Sequence, residues 1–227
     1  GMAVISLLTV QSTTGVTRVQ TVEPDLLAQQ LDQLLIDLVP GAAKTGALGN
    51  ASLVEVVAAR AKDFRFPLVV DPVMISKHGH PLIDASAVHA VKSKLMPVTF
   101  LVTPNTHAAA SLTRRKVDTL AEARDAAKAI AQLGVKHVLV KGGHLEGDAV
   151  DVLLADGVLH ELHAPRIETK HTHGTGCTSS AAITARLSQG VSLVEAVTQA
   201  KAWLTRAIQT APGLGHGVGP VNHFAAL

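Results

Sequence analysis

Short runs rich in Val, Ile and Leu alternate along the chain with longer segments in which apolar residues recur every three or four positions. Strict runs of four to eight suit buried strands, whereas the longer spacing puts one apolar stripe on a helix, so the pattern predicts β-α units around a mostly parallel sheet. Predicted strands are 3–10 (AVISLLTV), 41–46 (GAAKTG), 67–71 (PLVVD), 99–103 (TFLVT) and 137–141 (HVLVK). A hairpin is predicted from 149–155 and 158–164, turning at Asp156-Gly157. The opening GMAVISLLTV reads as a buried strand, since no basic stretch precedes it as in a secretory leader.

Helix starts are marked by Ser or Thr followed three residues later by Glu, a pairing that can satisfy two orphan N–H groups reciprocally. It occurs at Ser52/Glu55, Thr119/Glu122 and Ser192/Glu195. Pro24 suits a first helical turn, and the last long helix is expected over 193–211, before Pro212. With no internal repeat, linker or charge block, residues 1–227 are read as one domain. Its first strand follows no helix, so the chain is expected to begin inside that domain.

At 227 residues and 47% hydrophobic content the chain can bury a large core. A net charge of +2 with scattered Lys and Arg, and 2% aromatic residues with no Tyr, argue against nucleic acid as a partner. No apolar run reaches the roughly 20 residues of a spanning helix. The single Cys cannot form an intrachain disulfide, which points to the cytoplasm.

That cysteine carries the strongest candidate chemistry. In 168-ETKHTHGTGCTSSAAITAR-186 it stands behind Gly-Thr-Gly at the start of a predicted helix. Unpaired N–H groups and the helix dipole favour an anion there, and Gly174 and Gly176 let the backbone approach it. The same dipole would favour a thiolate at Cys177, lowering its pKa below about 8.5. A tight turn filled by a small buried Cys is the alternative. No Walker A loop occurs, and Ser179 replaces the third glycine of a dinucleotide fingerprint.

Three further polar residues end buried runs: Asp71, Asn105 and Lys141. Ligands of open α/β sheets bind beyond the carboxyl ends of strands. Lysine there can neutralise phosphate, and the oxygen donors of Asp71 and Asn105 suit Mg²⁺. Taken singly, each also has an ordinary turn-stabilising reading. The 12 histidines include the pairs His78/His80, His171/His173 and His216/His223, none spaced as zinc ligands on one helix face.

The segments LLTVQSTTGV, AAKTGALGN, PLVVDPVM, LVTPN, VLVKGGHLEG, APRIETKHTHGTGCT, AKAWLTRAI and LGHGVGPVNHF, in this order, resemble the hydroxymethylpyrimidine/phosphomethylpyrimidine kinases of thiamine biosynthesis. The resemblance implies a ribokinase-like, three-layer α-β-α fold with a central, mostly parallel sheet. It implies transfer of the γ-phosphoryl group of ATP to 4-amino-5-hydroxymethyl-2-methylpyrimidine and then to its monophosphate, with Mg²⁺, in a cytoplasmic homodimer. Gln11, Ala47 and Val73 would bind the pyrimidine; many relatives have Met in place of Ala47. Gly174, Thr175 and Gly176 would form the anion hole, and Cys177 would take the substrate hydroxyl proton, where sugar-kinase relatives have a catalytic Asp. Asp71 and Asn105 would serve Mg²⁺ and phosphate, Lys141 the ATP phosphates and Lys201 the nucleotide side. The family usually begins with a strand, a glycine-rich loop and a helix ahead of the segment matching Gly1, so these are expected to be lacking here. Its Asn-x-x-Glu motif reads 105-NTHA-108, with Ala108 at the glutamate. A pyridoxal kinase and a catalytically impaired pyrimidine or nucleotide sensor are the alternative readings.

Overall fold

A computed structural model of the chain describes residues 1–73, 83–143 and 145–226. The chain opens with an antiparallel hairpin of β1 (Leu7–Ser12) and β2 (Gly15–Thr21), followed by α1 (Pro24–Asp37). Four strands then form the parallel part of the main sheet: β3 (Ala43–Thr45), β4 (Leu68–Val70), β5 (Leu101–Val102) and β6 (His137–Val140). Between them run α2 (Ala51–Ala61), α3 (Ala85–Ala90), α4 (Thr106–Thr113) and α5 (Leu120–Ala131). Strands β7 (Asp151–Ala155) and β8 (Val158–Leu162) add two antiparallel members, giving the order β3-β4-β5-β6-β7-β8. Helices α6 (Thr175–Ser188) and α7 (Leu193–Gln209) close the chain.

Strand alternation assigns the helices to two sides. Val70, Val102, Val138 and Val152 pack with Leu53, Val54 and Val57 of α2 and Ala127 and Ile130 of α5. The neighbouring Val69, Leu101, Leu139 and Leu153 face the other way, onto Ile183 of α6 and Val197 and Ala200 of α7. The result is the expected α-β-α layering.

The predicted buried strand at 3–10 is corrected. The strand is β1, among the described residues it pairs with β2 alone, and Leu8 and Val10 are more than half exposed. Apolar content alone cannot distinguish a core strand from a hairpin lying outside the main sheet. β2 escaped notice because its run GVTRVQT is largely polar. The 149–164 hairpin turns as expected at Asp156-Gly157, with φ of 47° and 80°, the left-handed geometry that such two-residue turns require.

Of the three expected capping boxes, only Thr119/Glu122 forms with both halves. At α2 the cap is Asn50, which accepts from Leu53 N at 2.9 Å; Ser52 lies within the helix and Glu55 pairs with Lys94. Ser192 stands at the start of α7 without a side-chain capping bond, and Glu195 accepts from Gln199 instead. Pro24 opens α1 as expected, and α7 ends at Gln209, two residues before the expected limit. Among the described residues, no helix is long and apolar enough to cross a membrane.

Candidate active site

The carboxyl ends of the parallel strands put a row of polar side chains on one face of the sheet. Lys44 shares the direction of Val69, its partner across β3/β4, and so faces the α6 side. Asp71 and Lys141 each lie two residues beyond a side chain on that same face, Val69 and Leu139. They meet there: Lys141 Nζ lies 3.0 Å from Asp71 Oδ1, with both side chains largely buried. A carboxylate this poorly hydrated needs a compensating cation, which Lys141 supplies. Ser180 Oγ donates to the second Asp71 oxygen at 3.4 Å and to the Cys177 carbonyl at 3.0 Å.

The start of α6 enters this cluster. Gly174 is its N-cap residue at φ 83°, a left-handed conformation natural to glycine, and no side chain caps the helix. A Cβ on Gly176 would sit 3.2 Å from Lys141 Nζ and 3.8 Å from Asp71 Oδ2, so the turn lies against the ion pair. Cys177, one residue on, opens to solvent on one side. Burial of its sulfur raises the thiol pKa above its ordinary value, and Asp71 adds to the shift, with Lys44 and Lys141 pulling the other way. The expected lowering is therefore corrected: burial and an adjacent carboxylate push the thiol pKa up.

Asp71, Lys141, Gly176 and Cys177 are thus brought together, with Gly174 and Thr175 on the same turn. Gln11 reaches its edge, with Nε2 3.2 Å from His173 Nε2, next to Gly174. A shift in pairing between Val10 and Gln11 accompanies that approach. Ala47 follows the strand bearing Lys44, and its carbonyl accepts from Ser6 Oγ at 2.8 Å. Val73 is half-buried and tied to the Asp71 carbonyl through its N–H at 2.8 Å.

Two residues are otherwise engaged. Asn105 caps α4, its Oδ1 accepting from Ala108 N at 2.8 Å, so the oxygen expected to serve a metal already has a partner. Lys201 Nζ lies 2.7 Å from Asp151 Oδ2, and Asp151 Oδ1 accepts from Gly142 N at 2.8 Å. Of the histidine pairs, His78 and His80 lie outside the described residues; among those described, no group of three or more His, Cys, Asp or Glu could hold a metal ion.

Sequence reading overlooked Lys44, Ser180 and Asp151. Lys44 lies two residues after Ala42, on the face that packs on the α6 side, which only the structure supplies. Ser180 could have been found from its i+3 spacing to Cys177. Nothing local signals Asp151, whose partners come from two other elements.

The phosphomethylpyrimidine kinase family profile matches residues 1–222. The chain belongs to that family. It is 42% identical over 227 residues to the hydroxymethylpyrimidine/phosphomethylpyrimidine kinase of Streptomyces coelicolor, covering all of this chain and 84% of that protein. It is 43% identical over 228 residues to the thiamine biosynthesis bifunctional protein of Geobacter sulfurreducens, covering all of this chain but 46% of that longer one. Among solved structures, the Staphylococcus aureus pyridoxal kinase in complex with pyridoxal superposes with a TM-score of 0.90 at 30% identity, covering 99% of this chain and 82% of that one. The ribokinase-like fold follows from these likenesses.

Proposed function

We propose that the chain phosphorylates 4-amino-5-hydroxymethyl-2-methylpyrimidine with ATP, and then the resulting monophosphate, in thiamine biosynthesis. The observation that carries this reading is the convergence of Asp71, Lys141 and Cys177 on the uncapped start of α6. Family membership and the name of the Streptomyces relative supply the substrate class.

Phosphoryl transfer passes through a loose transition state, so the protein mainly positions the reactants and neutralises charge on the equatorial oxygens. The N–H groups of Gly174, Gly176 and Cys177 would face those oxygens, with Lys141 beside them. Lys141 would exchange Asp71 for phosphate as nucleotide enters. The substrate hydroxyl oxygen bonds to the γ-phosphorus as the bond to ADP breaks, and its proton passes to ionised Cys177. A raised thiol pKa makes that thiolate a stronger base, though a scarcer one.

Mg²⁺ belongs to the same proposal. With Asn105 Oδ1 engaged, Asp71 is the carboxylate at hand, a donor set that suits a cation arriving on nucleotide phosphates. When bound, it would neutralise β- and γ-phosphate oxygens. A homodimer is also proposed, supported by exposed Leu8, Val10 and Val19 on the hairpin; a monomer mass by light scattering would remove it.

The deciding experiment measures ATP-dependent product formation from the pyrimidine and from pyridoxal side by side. Higher kcat/KM on the pyrimidine is expected. Preference for pyridoxal would favour the second reading, which the 0.90 superposition on a pyridoxal kinase motivates. Binding of the pyrimidine without turnover would favour a sensor.

A further inference from the structure

The segment between β6 and β7 is held at both ends by side chains that no part of the reaction requires. At its start, Asp151 Oδ1 takes the Gly142 N–H at 2.8 Å while Asp151 Oδ2 takes Lys201 Nζ at 2.7 Å. Farther along, one guanidinium serves three carbonyls: Arg166 Nη1 donates to Gly143 O at 2.9 Å, Nε to Gly147 O at 2.7 Å, and Nη2 to Leu145 O. The planar donor fork of arginine makes this possible, and the point charge of a lysine could not reproduce it.

The loop's location gives the arrangement its meaning. Gly142 directly follows Lys141, whose backbone N–H is bound to Pro104 O at 2.8 Å and whose ammonium meets Asp71. Arg166 lies on the segment that leaves β8 and leads, eight residues later, into Gly174. Mutual Ala149/Ala164 hydrogen bonds continue the β7/β8 pairing beyond Asp151, which brings the two halves of the clamp to the same end of the hairpin. Arg166 therefore ties the residues that follow Lys141 to the segment that leads into the α6 turn, while Asp151 ties Gly142 to α7 through Lys201.

We propose that Asp151 and Arg166 are positioning residues that clamp the backbone at Gly142, Gly143, Leu145 and Gly147 and thereby set Lys141 against the Gly174–Cys177 turn, Lys201 acting through Asp151. The proposal rests on the reading that Lys141 serves the nucleotide phosphates. Neither side chain need touch substrate.

The test uses the full chain with Arg166→Lys and with Asp151→Asn. Because Asp151→Asn leaves the Lys201 ammonium buried without a counter-charge and can unfold the protein, Asp151→Asn/Lys201→Gln is made beside it. Hydrogen exchange of the amides of Gly142, Gly143 and residues 145–148, calorimetric titration with ADP, and separate KM values for ATP and the pyrimidine are measured. For Arg166→Lys and for Asp151→Asn/Lys201→Gln, exchange in the loop about tenfold faster, ADP affinity about tenfold weaker and KM for ATP raised, with KM for the pyrimidine unchanged, are the expected results. Loop protection as in the parent chain, or faster exchange with unaltered ADP affinity, would overturn the clamp. A parent chain that binds ADP but phosphorylates no pyrimidine would defeat the activity reading alone, since exchange and titration still decide the clamp. A parent chain that binds no ADP defeats both.

Discussion

At Cys177 the helix start and the neighbouring carboxylate act in opposite directions. The two lysines favour the thiolate, while burial and Asp71 favour the thiol and raise its pKa. Alkylation of Cys177 by iodoacetamide should accordingly accelerate with pH along a curve whose midpoint lies above the ordinary cysteine value of about 8.5. A midpoint near 7 would show that the helix start dominates after all. Turnover should climb over the same range if the thiolate takes the hydroxyl proton, and Cys177→Ala should abolish that climb while leaving ADP affinity nearly intact. The location of this residue was legible from Gly-Thr-Gly ahead of a helix. The direction of its pKa was not, because Asp71 stands 106 positions earlier in the chain.

Among the elements, turns recorded in the sequence were read correctly where a local rule has one solution. Asp156-Gly157 makes its hairpin, and Thr119/Glu122 makes its box. Ser52/Glu55 failed because Asn50, two residues earlier, is an equally good cap and reaches Leu53 first. Gly142 shows what a local rule misses altogether. It reads as a turn glycine, yet a Cβ there would fall 1.7 Å from Val150 O, so its lack of a side chain answers a backbone contact across the sheet end. Gly142→Ala should therefore destabilise the fold by about 3 kcal/mol, beyond the ~1 kcal/mol common for glycine positions. Gly143→Ala, where a Cβ would meet nothing within 4 Å, is the control. Equal urea midpoints for the two variants would contradict this account.

Across the whole molecule, the sheet also buries a titrating group away from the site. His137 of β6 is 2% exposed and edge-on to Phe100, with Nδ1 accepting from Asp156 N at 3.3 Å. Burial holds its pKa below the ordinary 6.5, against an upward pull from Asp156 and with a smaller downward push from Lys136. The unfolded chain thus binds a proton at this position at a higher pH than the folded one does. This contribution to stability is complete above about pH 6.5 and is lost as pH falls through the folded value. Urea unfolding between pH 8 and 5 should show that loss, and His137→Phe should flatten it; an unchanged slope would assign the dependence to other groups. The sequence by itself determined the β-α alternation, the glycine-rich turn that opens α6 and the strand ends that carry Asp71 and Lys141, because periodicity and turn chemistry act over a few residues. Only the tertiary structure decided that β1 lies outside the main sheet, that Asp71 raises the thiol pKa and that Asp151 joins Gly142 to Lys201. Each of those outcomes depends on distances between segments far apart in the chain, which packing sets and local pattern does not encode.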